Sequence, residues 1–223
     1  MDSTAQPGGQ RVVLFDFDGV LVRGDTFGLF MRAQYARAWW RKLLAAAALP
    51  WLLVVWPFSW RRGLRTLVHI GLLGVGERRY HELGEAFVHT LVRQPRRFFR
   101  EGLFALRRHV AAGDRVVVVT GCEESLARGV LQALGIDGVE LLASRLVPTR
   151  FGMRSGWHNV GARKVALLAE HGIEAWQVAY SDSIQDLPML AGAAQAVLVN
   201  GSPKLCKRVE NAMGHSIAHV HWD

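Results

Sequence analysis

Asp16-Phe17-Asp18-Gly19 places two carboxylates two residues apart, where an apolar run ends and a Gly turn begins. Further along, Val118-Val119-Thr120-Gly121 offers a hydroxyl and free backbone amides, and Lys164 follows Asn159. Ser181-Asp182-Ser183-Ile184-Gln185-Asp186 adds two carboxylates four residues apart. Each piece alone has an ordinary reading as a strand-to-loop turn or a solvated helical Lys. Taken in order, they form a set that can act on a phosphate monoester. A phosphate dianion repels an anionic nucleophile, so carboxylate attack requires cations. Asp16 with Asp182 can hold Mg²⁺ through oxygen ligands, while Lys164 adds a point charge. Thr120 and the amides near Gly121 can donate to phosphoryl oxygens. Asp18 is placed to protonate the leaving oxygen and then to activate water. Covalent catalysis through an aspartyl-phosphate follows from these parts.

The elements that must position these groups are legible in outline. Val12 to Phe15 and Val116 to Val119 are short apolar, β-branched runs that read as buried parallel strands. Strands are also expected over 140–143, 177–180 and 196–199, and helices over 123–134, 162–171 and 185–190. Strands alternating with helices predict an α/β fold, a doubly wound, Rossmann-like parallel sheet. Chemistry in such sheets collects beyond the carboxyl ends of the strands, where Asp16, Thr120 and Asp182 fall. Residues 26–110 lack strand alternation and read as four or five helices, far longer than a crossover requires. The expected organisation is a catalytic core of 11–22 plus 111–223, an inserted helical cap of 23–110 and a flexible tail of 1–10. A hairpin or long loop is expected over 146–157.

In this order the motifs DFDGV, VVTG, Lys164 and SDSIQD resemble those of the haloacid dehalogenase superfamily, in its phosphoserine-phosphatase-like branch with a helical cap. The resemblance implies that Asp16 is the nucleophile and Asp18 the general acid/base, with Thr120, Gly121 and Lys164 binding phosphate. It implies a Mg²⁺ cofactor held by the Asp16 carboxylate, the Asp18 backbone carbonyl and Asp182, with Asp186 supporting through water. Val20 stands where Thr is commoner after DxDG. SDSxQD stands where phosphoserine phosphatases carry GDGxND, which argues against that specific enzyme.

Composition points to what the substrate is. The 223 residues carry a formal charge of +8, with half of them apolar. From Arg23 to His109 there are 16 basic and 5 acidic residues, a net of +11, so the basic charge sits in the insertion. Leu43 to Trp60 is 18 consecutive uncharged residues bracketed by Arg41-Lys42 and Arg61-Arg62. A single span would separate Asp16 from Thr120 across the bilayer, and 66–76 is too short for a second span. Pro50 and Pro57 break a continuous helix, so an interfacial or re-entrant segment is expected over 43–60. Trp51, Trp56 and Trp60 suit a headgroup region, and Arg61 and Arg62 suit anionic lipid. The competing reading is an apolar core of the cap itself.

This combination, with Asp25-Thr26-Phe27 after the first motif, Gly161 to Leu168 and Tyr180-Ser181-Asp182-Ser183, resembles the phosphatidylglycerophosphatase C family. The resemblance implies dephosphorylation of phosphatidylglycerophosphate, an anionic phospholipid, in phospholipid synthesis at the cytoplasmic face of the inner membrane. Asp25 is a candidate for orienting substrate, or simply a helix cap; Arg23 is a candidate headgroup contact. The alternatives are a soluble, cytoplasmic small-metabolite phosphatase and a non-catalytic membrane or nucleic-acid adaptor, and no nucleic-acid partner is expected. The polar start of the chain lacks a secretory pattern, and Cys122 and Cys206 make no disulfide framework. Cys122 is a candidate pocket-lining residue without an activating base. Gly8-Gly9-Gln10 and the His215, His219 and His221 group are set aside as tail and terminal segment.

Overall fold

The computed structural model describes residues 10–223. Apart from Gln10, the expected tail lies outside the described residues. The first strand, β1 (Val12–Phe15), is fully buried. Five α-helices follow: α1 (Thr26–Arg37), α2 (Trp39–Ala47), α3 (Leu49–Val55), α4 (Trp60–Gly71) and α5 (Glu77–Val92). A sixth, α6 (Arg100–Ala111), leads into β2 (Arg115–Glu123) and α7 (Glu124–Ala133). The 26–110 stretch therefore holds more helices than its composition suggested. The short α2 and α3 separate where Leu49-Pro50 opens a new helix, and Pro57 lies in the turn after Val55.

The chain continues through β3 (Val139–Ser144), β4 (Leu146–Thr149), β5 (Gly152–Ser155), α8 (Ala162–Glu170) and β6 (Trp176–Ser181). A 3-10 turn at Ile184–Asp186 then precedes α9 (Leu187–Ala191), β7 (Ala193–Val199), α10 (Pro203–Met213) and β8 (Ala218–Val220). Six strands form one parallel sheet in the order β3-β2-β1-β6-β7-β8. This is the Rossmann-like α/β sheet expected, extended by an edge strand at β8 that was read as a terminal segment. Three residues carry too little periodicity to announce a strand. The hairpin is present as antiparallel β4 and β5.

Alternation explains why the strands read as continuous apolar runs. Val13, Phe15, Val116, Val118, Val178 and Tyr180 belong to one buried cluster, which also holds Phe30, Tyr80, Leu106 and Leu126 from the helices. Val12, Leu14, Val117, Val119, Ala179 and Leu198 belong to the other, with Leu168, Met189 and Val209. Both faces of the sheet are thus covered, so neither needs polar residues. Leu103 and Leu106 of α6 lie in the first cluster. The sequence boundary at 110 therefore runs along a helix that rests on the sheet. Tyr80 of α5 donates to Glu123 Oε2 at 2.6 Å, and Glu123 also caps α7, which ties the helical insertion to the end of β2.

Register sets the site. Phe15 is level with Val118 on one side and Tyr180 on the other. Asp16, Thr120 and Asp182 consequently emerge at the same end of three adjacent strands. The structure carries β2 on through Thr120 to Glu123, with an irregularity after Val119.

Candidate active site

A cavity of about 460 Å³ opens at that strand end, lined by Asp16, Asp18, Thr120, Gly121, Lys164, Asp182 and Asp186 among others. Lys164 is 2% exposed, not a solvated helical lysine. Its Nζ lies 3.0 Å from Asp16 Oδ1 and 2.8 Å from Asp186 Oδ2, so it bridges β1 and the turn after β6. Ser181 donates to the same Asp186 oxygen at 2.8 Å. Asp16 Oδ1 also receives the Phe17 N–H at 2.7 Å. A buried lysine held by two carboxylates stays charged, and its pKa is raised despite burial by Asp16 and Asp186.

Asp18 faces a different partner. Its Oδ1 accepts from Thr26 N at 3.0 Å and Thr26 Oγ1 at 2.6 Å, at the start of α1. Burial nevertheless raises its pKa to about 7, with Thr26 pulling the other way. Asp182 is raised to about 6, first by burial and then by Asp186. Asp16 is pushed well above the usual carboxylate value, chiefly by burial, with Lys164 opposing and Asp186 and Asp182 adding to the rise. Gly19 has φ +79, and a Cβ there would collide with the Asp182 carboxylate. Only glycine permits that turn to lie against Asp182. Thr120 Oγ1 accepts from Cys122 N at 2.9 Å, which leaves its proton free to donate into the cavity.

Among the described residues no three His, Cys, Asp or Glu side chains converge as a complete metal site. The expected Mg²⁺ set draws on the Asp16 and Asp182 carboxylates and the Asp18 backbone carbonyl, with Asp186 acting through water. The Asp18 carboxylate is turned to Thr26, and Asp186 Oδ2 is taken by Lys164 and Ser181. Asp16 and Asp182 remain beside the cavity. Three carboxylates, Asp16, Asp182 and Asp186, lie about one buried cation, Lys164; burial is the main cause of the raised Asp16 and Asp182 values, and neighbouring carboxylates add to it. A hard divalent cation on oxygen donors fits that imbalance.

Other selected residues are dispersed. Asp25 lines the cavity but spends Oδ1 on capping α1 through Gly28 N at 2.8 Å. Arg23 is absent from the cavity wall; its guanidinium lies 4.3 Å over the Phe99 ring. Trp60 lines the mouth, whereas Trp51, Trp56, Arg61 and Arg62 are exposed on the adjoining helices. Cys122 is buried away from the cavity wall, and burial pushes its thiol pKa well up, so it is not a nucleophile. His219 pairs with Glu210 at 3.1 Å on the exposed side of α10. Sequence reasoning quoted Thr26 and Ser181 within motifs without giving either a role, and it missed His158 and Leu64, which carry no local signal.

The helices beyond the mouth expose an apolar face. Trp39 (72% exposed), Leu53 (74%) and Phe58 (89%) lie on it with Leu43, Leu49, Trp51, Val54 and Trp56. Residues 26–76 contain seven Arg and Lys and not one Asp or Glu. Among the described residues, no helix is long and apolar enough to cross a membrane.

The sequence matches the haloacid dehalogenase-like hydrolase family over residues 13–191. The chain belongs to that family. No curated protein matches the sequence. Its fold is similar to a solved protein of unknown function from Bordetella pertussis Tohama I, at 19% identity and TM-score 0.70, over 95% of this chain and 99% of that one. It is also similar to a phosphoserine phosphohydrolase-like protein from Francisella tularensis, at 12% identity and TM-score 0.62, over 94% of each chain. A substrate-bound phosphoserine phosphatase shares the fold at 17% identity and TM-score 0.59, over 96% of this chain and 93% of that one.

Proposed function

We propose that the protein is a Mg²⁺-dependent phosphomonoester hydrolase that dephosphorylates phosphatidylglycerophosphate to phosphatidylglycerol at the cytoplasmic membrane face. The observation that carries this reading is one of continuity. A buried Asp16–Lys164–Asp186 array lies in a cavity whose mouth, at Trp60 and Leu64, runs into an apolar, acid-free basic face.

In this reading the Asp16 carboxylate attacks phosphorus, and the bond to the leaving alkoxide oxygen breaks. Asp18 gives that oxygen its proton, which a pKa of about 7 allows near neutrality. Lys164, the Thr120 hydroxyl and the Gly121 region hold the phosphoryl oxygens. Water then attacks the phosphorus of the aspartyl-phosphate, Asp18 recovers a proton, and inorganic phosphate leaves with the Asp16 carboxylate restored. Asp16, the Asp18 backbone carbonyl and Asp182 would hold Mg²⁺, with Asp186 supporting. When bound, the ion supplies charge neutralisation for carboxylate attack on a dianion. Helices α1–α5 act as the cap over a core of 11–22 and 111–223.

The exposed Trp, Leu and Phe side chains of α2–α4 dock on anionic lipid, each nearby Arg or Lys adding about 1 kcal/mol. So many exposed large apolar side chains on neighbouring helices are unusual on a monomer and suit a contact surface. The test is Mg²⁺-dependent phosphate release from phosphatidylglycerophosphate in mixed micelles, beside phosphoserine and glycerol 3-phosphate. Asp16→Asn abolishes release, and Trp51→Ser with Phe58→Ser lowers binding to phosphatidylglycerol vesicles. Full activity in Asp16→Asn removes the catalytic reading; unchanged vesicle binding removes the membrane face. A second reading, a phosphatase of soluble metabolites, is favoured by the folds of the phosphoserine phosphatases. Turnover of the soluble esters alone would select it.

A further inference from the structure

Behind Thr120 runs a line of buried hydrogen bonds that starts outside the cavity. The register of β2 against β3 shifts between Val119 and Glu123, so 120–122 lie outside the regular ladder. Side chains bind the backbone there. Ser144, at the end of β3, donates through Oγ to the Gly121 carbonyl at 2.7 Å. The same peptide unit carries the Cys122 N–H, which donates to Thr120 Oγ1 at 2.9 Å. On its other side Ser144 Oγ accepts the Asn159 N–H at 2.9 Å. Asn159 is itself fastened to β3, its Nδ2 donating to Leu142 O at 3.0 Å. Thr120, Cys122, Ser144 and Asn159 are all buried.

These bonds run in one direction. Ser144 Oγ accepts from Asn159, so its own proton goes to Gly121 O. Thr120 Oγ1 accepts from Cys122, so its own proton points away from that amide, and Thr120 lines the cavity. The peptide between the two hydroxyls is planar and rigid, with its C=O and N–H opposed. A donor fixed on the carbonyl therefore aims the N–H at the other end. Inside a protein, successive bonds of such a chain also polarise and strengthen one another. The line ends in the Thr120 hydroxyl, aimed at whatever oxygen occupies the cavity.

We propose that Ser144 is a positioning residue of the phosphoryl site, setting the aim and strength of the Thr120 donor through the 121–122 peptide. Ser144 itself does not line the cavity, so it acts only through Thr120. The proposal rests on the reading of Asp16 as nucleophile and Thr120 as a donor to phosphoryl oxygen. A donor is worth most when it is aimed at the reacting oxygens in the transition state, so lost aim lowers kcat rather than raising KM.

The test is a double-mutant cycle on para-nitrophenyl phosphate, an activated monoester that does not depend on the lipid reading. Thr120→Val lowers kcat about 10²–10³-fold, the usual cost of one such donor. Ser144→Ala lowers kcat about tenfold with KM within about twofold, because the Thr120 hydroxyl remains but loses its aim. In the Thr120→Val background the same Ser144→Ala change costs less than about twofold, since its route is already gone. Ser144→Thr keeps the hydroxyl and restores kcat. Equal losses from Ser144→Ala in both backgrounds, or a loss confined to KM, overturn the proposal, since Ser144 then merely ties β3 to β2. Should Ser144→Ala not fold, Ser144→Cys, whose thiol is a weak donor, takes its place in the cycle.

The Cys122 amide proton reads the line without turnover. In ¹H–¹⁵N spectra of the metal-free protein it moves upfield in Ser144→Ala, as the bond it donates weakens, and returns in Ser144→Thr. An unmoved signal overturns the proposal. Full activity in Asp16→Asn, with a Cys122 signal that still answers Ser144, would sink the nucleophile reading and leave the line standing. Lost activity in Asp16→Asn with an additive cycle does the reverse.

Discussion

Asp18 shows how one residue's environment sets its use. Its carboxylate is buried beside the cavity, which raises its pKa to about 7, while two bonds from Thr26 favour the ionised form. Removing the Thr26 hydroxyl deletes one of those bonds, so the protonated form gains and the pKa moves higher. Carboxyl ¹³C NMR of the metal-free protein should place the Asp18 midpoint of Thr26→Val above that of the wild type. A midpoint at or below the wild-type value would show that the hydroxyl does not hold the carboxylate. Lys164 is the converse case, a charge that burial alone would neutralise. Replacing it with Met leaves Asp16 and Asp186 uncompensated in the core. The expected cost is about 3–5 kcal/mol by denaturant unfolding. A loss below 1 kcal/mol would mean that water or a neighbour already compensates the pair.

At the scale of elements, the end of α4 is tied to the β4–β5 hairpin through the backbone. Gly152 opens β5 at φ +128, and a Cβ there would run into the Leu72 carbonyl just past α4. The neighbouring Gly74 N–H donates to Phe151 O at 2.8 Å, so the β4–β5 hairpin grips the end of α4. Gly152→Ala therefore pushes the hairpin away from α4 and strains the backbone, at about 1–3 kcal/mol. Hydrogen exchange should show faster exchange at Gly74 than in the wild type, with the β1 amides unchanged. Unchanged exchange at Gly74 would show that the hairpin does not hold the end of α4. The same hairpin explains why 146–157 was hard to read: two four-residue strands split by Arg150-Phe151 have little alternation to detect.

For the whole molecule, the shifted carboxylates make stability depend on pH in a determined direction. Asp16, Asp18 and Asp182 all have folded pKa values above the ordinary one, so the folded state binds protons more tightly than the unfolded chain. Their contribution is fully present below about pH 4 and is lost as pH rises through about 6 for Asp182 and about 7 for Asp18. Thermal unfolding of metal-free protein should fall in Tm between pH 5 and 8, both limits being about the span of these values. Excess Mg²⁺ should raise Tm most at the upper end, where the carboxylates are ionised. A Tm that climbs with pH without metal would contradict the raised folded-state values of these buried carboxylates.

The sequence by itself determined the parallel sheet, the order of its motifs and the identity of the acids and lysine. Strands buried on both faces must be apolar throughout, and catalytic groups must follow them at their carboxyl ends. It could also place the Pro breaks of 43–60, because a missing N–H acts locally. Only the tertiary structure decided which oxygens face the cavity. Asp18 turns to Thr26, Asp186 to Lys164 and Ser181, and Arg23 to Phe99, and each choice depends on a partner distant in sequence or on a rotamer. Likewise, the apolar run was compatible with either a buried core or an exposed face, since composition cannot say what lies opposite a side chain. The fold leaves Leu53 and Phe58 facing outward and brings Trp60 and Leu64 of α4 to the same cavity as His158 and Lys164, about 100 residues further along the chain.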